Sequence, residues 1–114
     1  MNFLLKILVS SLAIMITSYL LPGVDIDNYL TAIIVAFVLA ILNMFIKPVL
    51  VILTIPITLF TFGLFLLFIN AFMIEIAGNF VKGFVVHGFG WALLFSIILS
   101  IVTSLLESLN KHVK

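Results

Sequence analysis

The sequence predicts an all-α membrane protein: four transmembrane helices, a proline-broken third segment and a short extended loop before the last helix. Three observations carry this. Of 114 residues, 66% are hydrophobic and only 8% charged, against about 25% charged in ordinary soluble domains. The mean hydropathy is +1.53, so no water-facing surface can be assembled from this composition. Apolar runs of near-spanning length also alternate with short polar or Pro/Gly-containing stretches, as expected when each crossing takes about 20 residues. The chain is therefore read as one integral membrane domain with no separate soluble part.

The first run, residues 4–21, ends at Pro22-Gly23 and is followed by the acidic stretch Val24-Asp25-Ile26-Asp27-Asn28. Proline and glycine stop a helix there. No clean small-x-small site follows the run, so it is expected to be a retained span rather than a cleaved signal. A second span is expected over 29–46, stopping at Lys47-Pro48 because proline biases its predecessor away from helical geometry. The third run, 49–77, exceeds a hydrocarbon core of about 30 Å by roughly a third. Pro56 is expected to divide it into an interfacial or re-entrant half-helix, 48–55, and a true span, 57–77. Thr54, Thr58 and Thr61 are placed to satisfy backbone groups freed around the proline. From Gly78 to Gly90 the pattern reads as extended chain turning at Lys82-Gly83. Trp91 anchors the start of the fourth span, 91–106, at headgroup level. Glu107 and Lys111 then form a surface pair at four-residue spacing.

Lysines set the orientation. Lys6, Lys47, Lys111 and Lys114 fall on one side of a four-span arrangement, and Asp25, Asp27, Glu75 and Lys82 on the other. The positive-inside rule then predicts a multi-pass protein of the bacterial cytoplasmic (inner) membrane with both termini cytoplasmic.

Polar and small side chains within the apolar runs are the candidate functional positions. A charge at the centre of a membrane helix costs about 2.5 to 3.5 kcal/mol on insertion scales, so Lys47 marks a boundary or a protected polar site. Asn43 precedes it by one turn and continues the face of Ala32, Ala36 and Ala40. Ser96, Ser100 and Ser104 line one face of the last helix. Such rows either pack helices within one chain or join subunits in a homo-oligomer, and both readings stay open. Gly63, Asn70 and Ala77 form a heptad row, in which Asn70 needs a partner in the bundle interior. Glu75 is expected near the outer end of its helix, paired with Lys82 or reaching headgroups. His87 and His112 fall on opposite sides and share no metal. With no cysteine, no nucleophile–base pair, no phosphate-binding glycine loop and no HExxH helix, the sequence suggests neither an enzyme nor a cofactor or metal site. A net charge of +1 with scattered lysines offers no surface for nucleic acid.

The stretch from Asn43 to Gly78 resembles phage holin family 4, superfamily IV, the YvlD-like small four-span bacterial membrane proteins. The matching residues are Asn43, Lys47, Pro48, Leu53, Thr54, Pro56, Ile57, Thr61, Gly63, Leu64, Phe65 and Asn70, then Gly83, Phe84, Val86, Gly88 and Phe89. The resemblance covers nearly the whole chain and implies four spans. It supplies no catalytic or ligand-binding residue to carry over.

Two functional readings follow. In the first, the protein is holin-like and self-associating, its alanine or serine faces joining subunits around a polar seam of Asn43, Asn70 and Lys47. In the second it is a structural or accessory envelope-stress protein that binds lipid or a partner protein through its broken third segment. A third reading, a miniature multidrug carrier, requires an acidic residue deep in the first helix, and none is there.

Overall fold

The computed structural model describes the backbone of residues 2–113 and the side chains of residues 2–109. In chain order the elements are α1 (Phe3–Leu20), β1 (Val24–Ile26), α2 (Tyr29–Ile41), a π-helical turn (Leu42–Ile46), α3 (Lys47–Leu53), α4 (Ile55–Phe60), α5 (Phe65–Phe80), β2 (Phe84–Val86) and α6 (Phe89–Val113). Asn2 and Asn28 cap α1 and α2, their side-chain oxygens accepting from the Leu5 and Thr31 amides at 2.8 and 2.9 Å. Each cap satisfies one of the orphan donors at a helix start. Three helical stretches, Phe3–Leu20, Tyr29–Leu53 and Phe89–Leu109, are long and apolar enough to cross a membrane, and α5 is a shorter apolar helix.

Beyond the helices, β1 and β2 pair as a two-stranded antiparallel ribbon, with Val24 opposite Val86, Asp25 opposite Val85 and Ile26 opposite Phe84. Sequence reasoning anticipated extended chain only on the second of these strands. Gly83 adopts φ +90°, a left-handed value that suits glycine.

Three expected boundaries are corrected. Lys47-Pro48 does not end the second span: the helix runs on to Leu53, giving 25 residues from Tyr29, about 37 Å of helix. The widened turn just before Pro48 explains this. Lys47 N–H reaches back five residues to the Leu42 carbonyl, which makes room where a proline ring otherwise crowds the carbonyl four residues earlier. The half-helix expected over 48–55 is accordingly the end of this long helix, and the separate short helix is α4. The chain bends between them at Thr54, and Pro56 stands in the first turn of α4. Finally, the span expected over 57–77 is interrupted at 61–64, where Phe62 and Gly63 both have positive φ, 56° and 86°. The helix that follows, α5, runs through Gly78 to Phe80. Two of the three expected threonines bond to backbone here, Thr54 to the Leu50 carbonyl at 2.8 Å and Thr61 to that of Ile57 at 3.1 Å, whereas the Thr58 hydroxyl meets that of Thr54 at 3.5 Å. Thr61 Oγ1 also accepts from the Phe65 amide at 3.2 Å, restarting the helix.

The molecule is built as two α–β–α units related by a shift of 60 residues, α1–β1–α2 matching α5–β2–α6. Buried positions recur at that offset: Ala13 with Met73, Ile14 with Ile74, Val24 with Phe84, Ala32 with Ala92, Val35 with Phe95 and Ala36 with Ser96. The hydrogen bonds that close the ribbon recur as well. Asp27 N–H donates to the Gly83 carbonyl at 3.0 Å, and His87 N–H to the Gly23 carbonyl at 2.9 Å. Such reciprocity places a pseudo-two-fold axis through the centre of the ribbon. Within each unit the two helices pack closely on each other, and α1 also lies against α6. Under the ribbon, Phe84 packs on Phe95 with ring centroids 5.7 Å apart, and Trp91 lies directly over Gly23.

Candidate functional site

At the end of the bundle opposite the ribbon, α1, α2, α5 and α6 separate around an open cavity of about 620 Å³. Its lining comes in pairs at the 60-residue offset: Ser10 with Asn70, Ile14 with Ile74, Ala36 with Ser96, Leu39 with Leu99, Ala40 with Ser100 and Asn43 with Thr103. Both units therefore build one site.

Two cations line this cavity, Lys6 from the first turn of α1 and Lys47 from the junction of the π turn with α3. Among the described residues neither has a carboxylate at ion-pair distance, since the ion pair found there is His87 with Asp25, 2.8 Å apart and solvent-exposed at the ribbon. Asn43 and Asn70 also line it, from α2's π turn and from α5, and Asn70 is half-buried. Hydroxyls complete the wall. Ser96 is buried and donates to the Leu93 carbonyl at 2.8 Å; Ser100 donates to that of Ser96 at 2.9 Å. With their protons committed to the helix, both oxygens keep lone pairs for the cavity. Ser104 lies one turn further towards the mouth.

Of the positions singled out from sequence, Asn43, Lys47, Asn70, Ser96, Ser100 and Ser104 thus meet in one place. Pro48 and Pro56 shape the connecting helices, and Gly63 sits in the turn before α5 with nothing near its Cα hydrogens. Glu75 is elsewhere: it forms no ion pair with Lys82, and its Oε1 is buried without a hydrogen-bond partner. Ala32 and Ala36 are buried inside the chain. The Glu107–Lys111 pair and His112 involve side chains outside the described residues. Sequence reasoning missed Lys6, Ser10 and Thr103 as lining residues; the 60-residue offset is the signal that pairs Ser10 with Asn70 and Thr103 with Asn43.

Chemically, the cavity offers two ammonium groups without an ion-pair partner among the described residues, two amides able to donate, and a ladder of hydroxyls, over an apolar floor of Ile14, Leu39 and Ile74. Ammonium and amide N–H groups are the natural partners of an oxyanion. The cations come from one face and the hydroxyls from the facing helix, so a bound group would be held from both sides.

Residues 1–105 match the family described as Mycobacterial 4 TMS phage holin, superfamily IV. The chain belongs to this family. The superfamily IV protein is 37% identical over 103 residues to a Bacillus subtilis (strain 168) protein named "Uncharacterized membrane protein YvlD", covering 90% of this chain and 87% of that one. A second relative, "Uncharacterized protein SCO3922" of Streptomyces coelicolor (strain ATCC BAA-471 / A3(2) / M145), is 35% identical over 112 residues, with 90% of each chain covered. No solved structure matches. Membership makes this a membrane protein of the four-span type, and leaves its activity to be argued from the cavity.

Proposed function

We propose that this superfamily IV protein is an accessory protein of the bacterial cytoplasmic membrane that holds an anionic, phosphate-bearing group, in the bilayer a lipid headgroup, in the cavity between its two repeats. The observation that carries this is the convergence of Lys6, Lys47, Asn43 and Asn70 on one space within a single chain. In a lesion assembled from many subunits, polar side chains belong on an outer face where neighbouring copies meet. Here they line one open cavity, Lys47 and Asn70 half-buried and Lys6 and Asn43 exposed at its mouth, and the outer faces are apolar, with Phe37, Phe60, Phe62 and Phe72 all exposed. The cavity end carries Lys6 and Lys47 with Glu107, and the ribbon end Asp25 and Asp27 with Lys82, a balance that by the positive-inside rule favours both termini and the cavity mouth in the cytoplasm. That is also the side where anionic headgroups attract basic residues, by about 1 kcal/mol for each lysine near the surface.

Lipid retention in detergent tests the proposal. The purified protein is offered equimolar phosphatidylglycerol and phosphatidylcholine, and native mass spectrometry counts what stays bound. Preferential retention of the anionic lipid is expected, falling by about tenfold or more in Lys6→Gln/Lys47→Gln, since two lysines together contribute about 2 kcal/mol. Equal retention of both lipids by the wild type sinks the proposal. In parallel, membrane potential is followed in cells during titrated expression. A steady potential at high abundance is expected, whereas abrupt collapse at a threshold level favours the holin-like, self-associating alternative.

A further inference from the structure

The two halves of the cavity are chemically unequal, and that inequality narrows the ligand. Pseudo-symmetry sets α2 against α6 position by position, yet the side chains differ in kind. Ala36 is matched by Ser96, Ala40 by Ser100, and Met44 by Ser104, while Asn43 faces its counterpart Thr103. Both lysines come from the first unit; at the matching place in the second, Lys6 is replaced by Leu66 and Lys47 by Glu107. One wall thus carries the lysines and the other the hydroxyls, with Glu107 outside the cavity lining.

We infer that the cavity is specific for a phosphodiester headgroup that carries a polyol, of the glycerol-phosphate type, rather than for any anionic lipid. This rests on the anion-binding reading above and adds the polyol to it. The lysine wall takes the phosphate oxygens. The hydroxyl wall takes the diol, whose O–H groups are donors as well as acceptors. Ser96 and Ser100 present only lone pairs, because their protons already go to the Leu93 and Ser96 carbonyls, so they accept from the diol. Thr103 and Ser104 make no side-chain hydrogen bond among the described residues and are able to donate in return. Ser96, Ser100 and Ser104 are four residues apart, about 6 Å along the helix, a span that two adjacent hydroxyls bridge when each hydrogen-bonds to its own rung. A primary ammonium in the same headgroup is disfavoured by two like charges across the cavity.

The test compares lipids that differ in one feature at a time. Phosphatidic acid carries the phosphate with at least as much charge as phosphatidylglycerol and has no polyol, so charge alone ranks it equal or higher. Native mass spectrometry of the detergent-solubilised protein, offered phosphatidylglycerol, phosphatidic acid and phosphatidylcholine together, is expected to rank phosphatidylglycerol first. Its advantage over phosphatidic acid should be about tenfold, the effect of one or two net hydrogen bonds. Ser100→Ala/Thr103→Val/Ser104→Ala should erase that advantage and leave phosphatidic acid retention unchanged, which also shows that the variant is folded. Equal retention of the two anionic lipids, both above phosphatidylcholine, overturns the polyol inference while leaving the anion site standing. Equal retention of all three overturns both. Soluble glycerol 1-phosphate binding as tightly as the lipid reassigns the site to a free ligand and overturns the headgroup.

Discussion

Gly23 is the position at which the packing of the two repeats can be tested most sharply. A Cβ built on Gly23 falls 2.0 Å from Cδ2, 2.1 Å from Cε2 and 2.2 Å from Cγ of Trp91. Carbon atoms in good contact lie about 3.5 to 4.0 Å apart, so Gly23→Ala requires the indole to retreat by about 1.5 Å or the ribbon to lift. Trp91 lies in the first turn of α6, and Gly23 accepts the ribbon hydrogen bond from His87, so either movement loosens the junction of the two units. Overpacking of this kind costs about 1 to 3 kcal/mol. Unfolding in sodium dodecyl sulfate, followed by circular dichroism, should show a loss in that range. Because Trp91 is the single tryptophan, its fluorescence should shift to the red as it leaves the glycine. A double-mutant cycle identifies the cause: in a Trp91→Ala background, Gly23→Ala should cost less than in the wild type by more than about 0.5 kcal/mol, the margin within which independent sites add. Wild-type stability and emission in Gly23→Ala, or an undiminished cost without the indole, refute the packing argument.

Other expectations follow from single features. Gly83→Ala should destabilise by about 2 kcal/mol or more, because left-handed backbone costs about 1 to 2 kcal/mol for a residue with a Cβ and that Cβ also meets Asp27 Oδ2 at 2.6 Å; Gly88→Ala, at φ +124° but in open space, should cost less, and the two are ranked by the same detergent titration. His87→Ala should change stability by under about 1 kcal/mol, since exposed ion pairs contribute little, and a larger loss in the titration contradicts the solvent-exposed placement. Pro48→Ala should keep or raise helical ellipticity, because the helix already runs through this residue; a marked fall contradicts the continuous helix from Tyr29 to Leu53. Asn70→Leu should weaken retention of anionic lipid without altering the ellipticity, and unchanged retention removes Asn70 from the site.

Much of the architecture is legible in the apolar runs, and the misreadings have definite physical origins. Pro48 reads as a stop only if the backbone before it must stay α-helical; a five-residue π turn lifts that restriction, and nothing local in Leu42–Ile46 announces it. The break before α5 was assigned to Pro56, whereas Phe62 and Gly63 make the sharper turn, and Phe62 is a residue that rarely takes positive φ. The ribbon was half visible. Its strands have three residues each and lie 60 apart, too short and too distant for a periodicity argument to pair them. The duplication is hidden for a related reason: Ile14/Ile74, Gly23/Gly83, Ala32/Ala92 and Leu39/Leu99 are identical across the halves, but most other pairs conserve only size or burial. At the site, Asn43, Lys47, Asn70 and the serines stand out as polar residues in apolar runs. That they face one cavity depends on how the two units meet, which no single helical face reveals. Lys6 went unnoticed because a lysine near a chain start reads as a topology signal.

Charge at the cavity decides the account, and the absence of cysteine from the chain makes a direct measurement available. Ser100→Cys places one thiol on the cavity wall, to be labelled in proteoliposomes by a sulfonate-bearing and by an ammonium-bearing methanethiosulfonate. The account predicts faster reaction with the anionic reagent, abolition of that difference in the Lys6→Gln/Lys47→Gln background, and protection by phosphatidylglycerol but not by phosphatidylcholine. Equal rates for the two reagents, or faster reaction with the cationic one, contradict it.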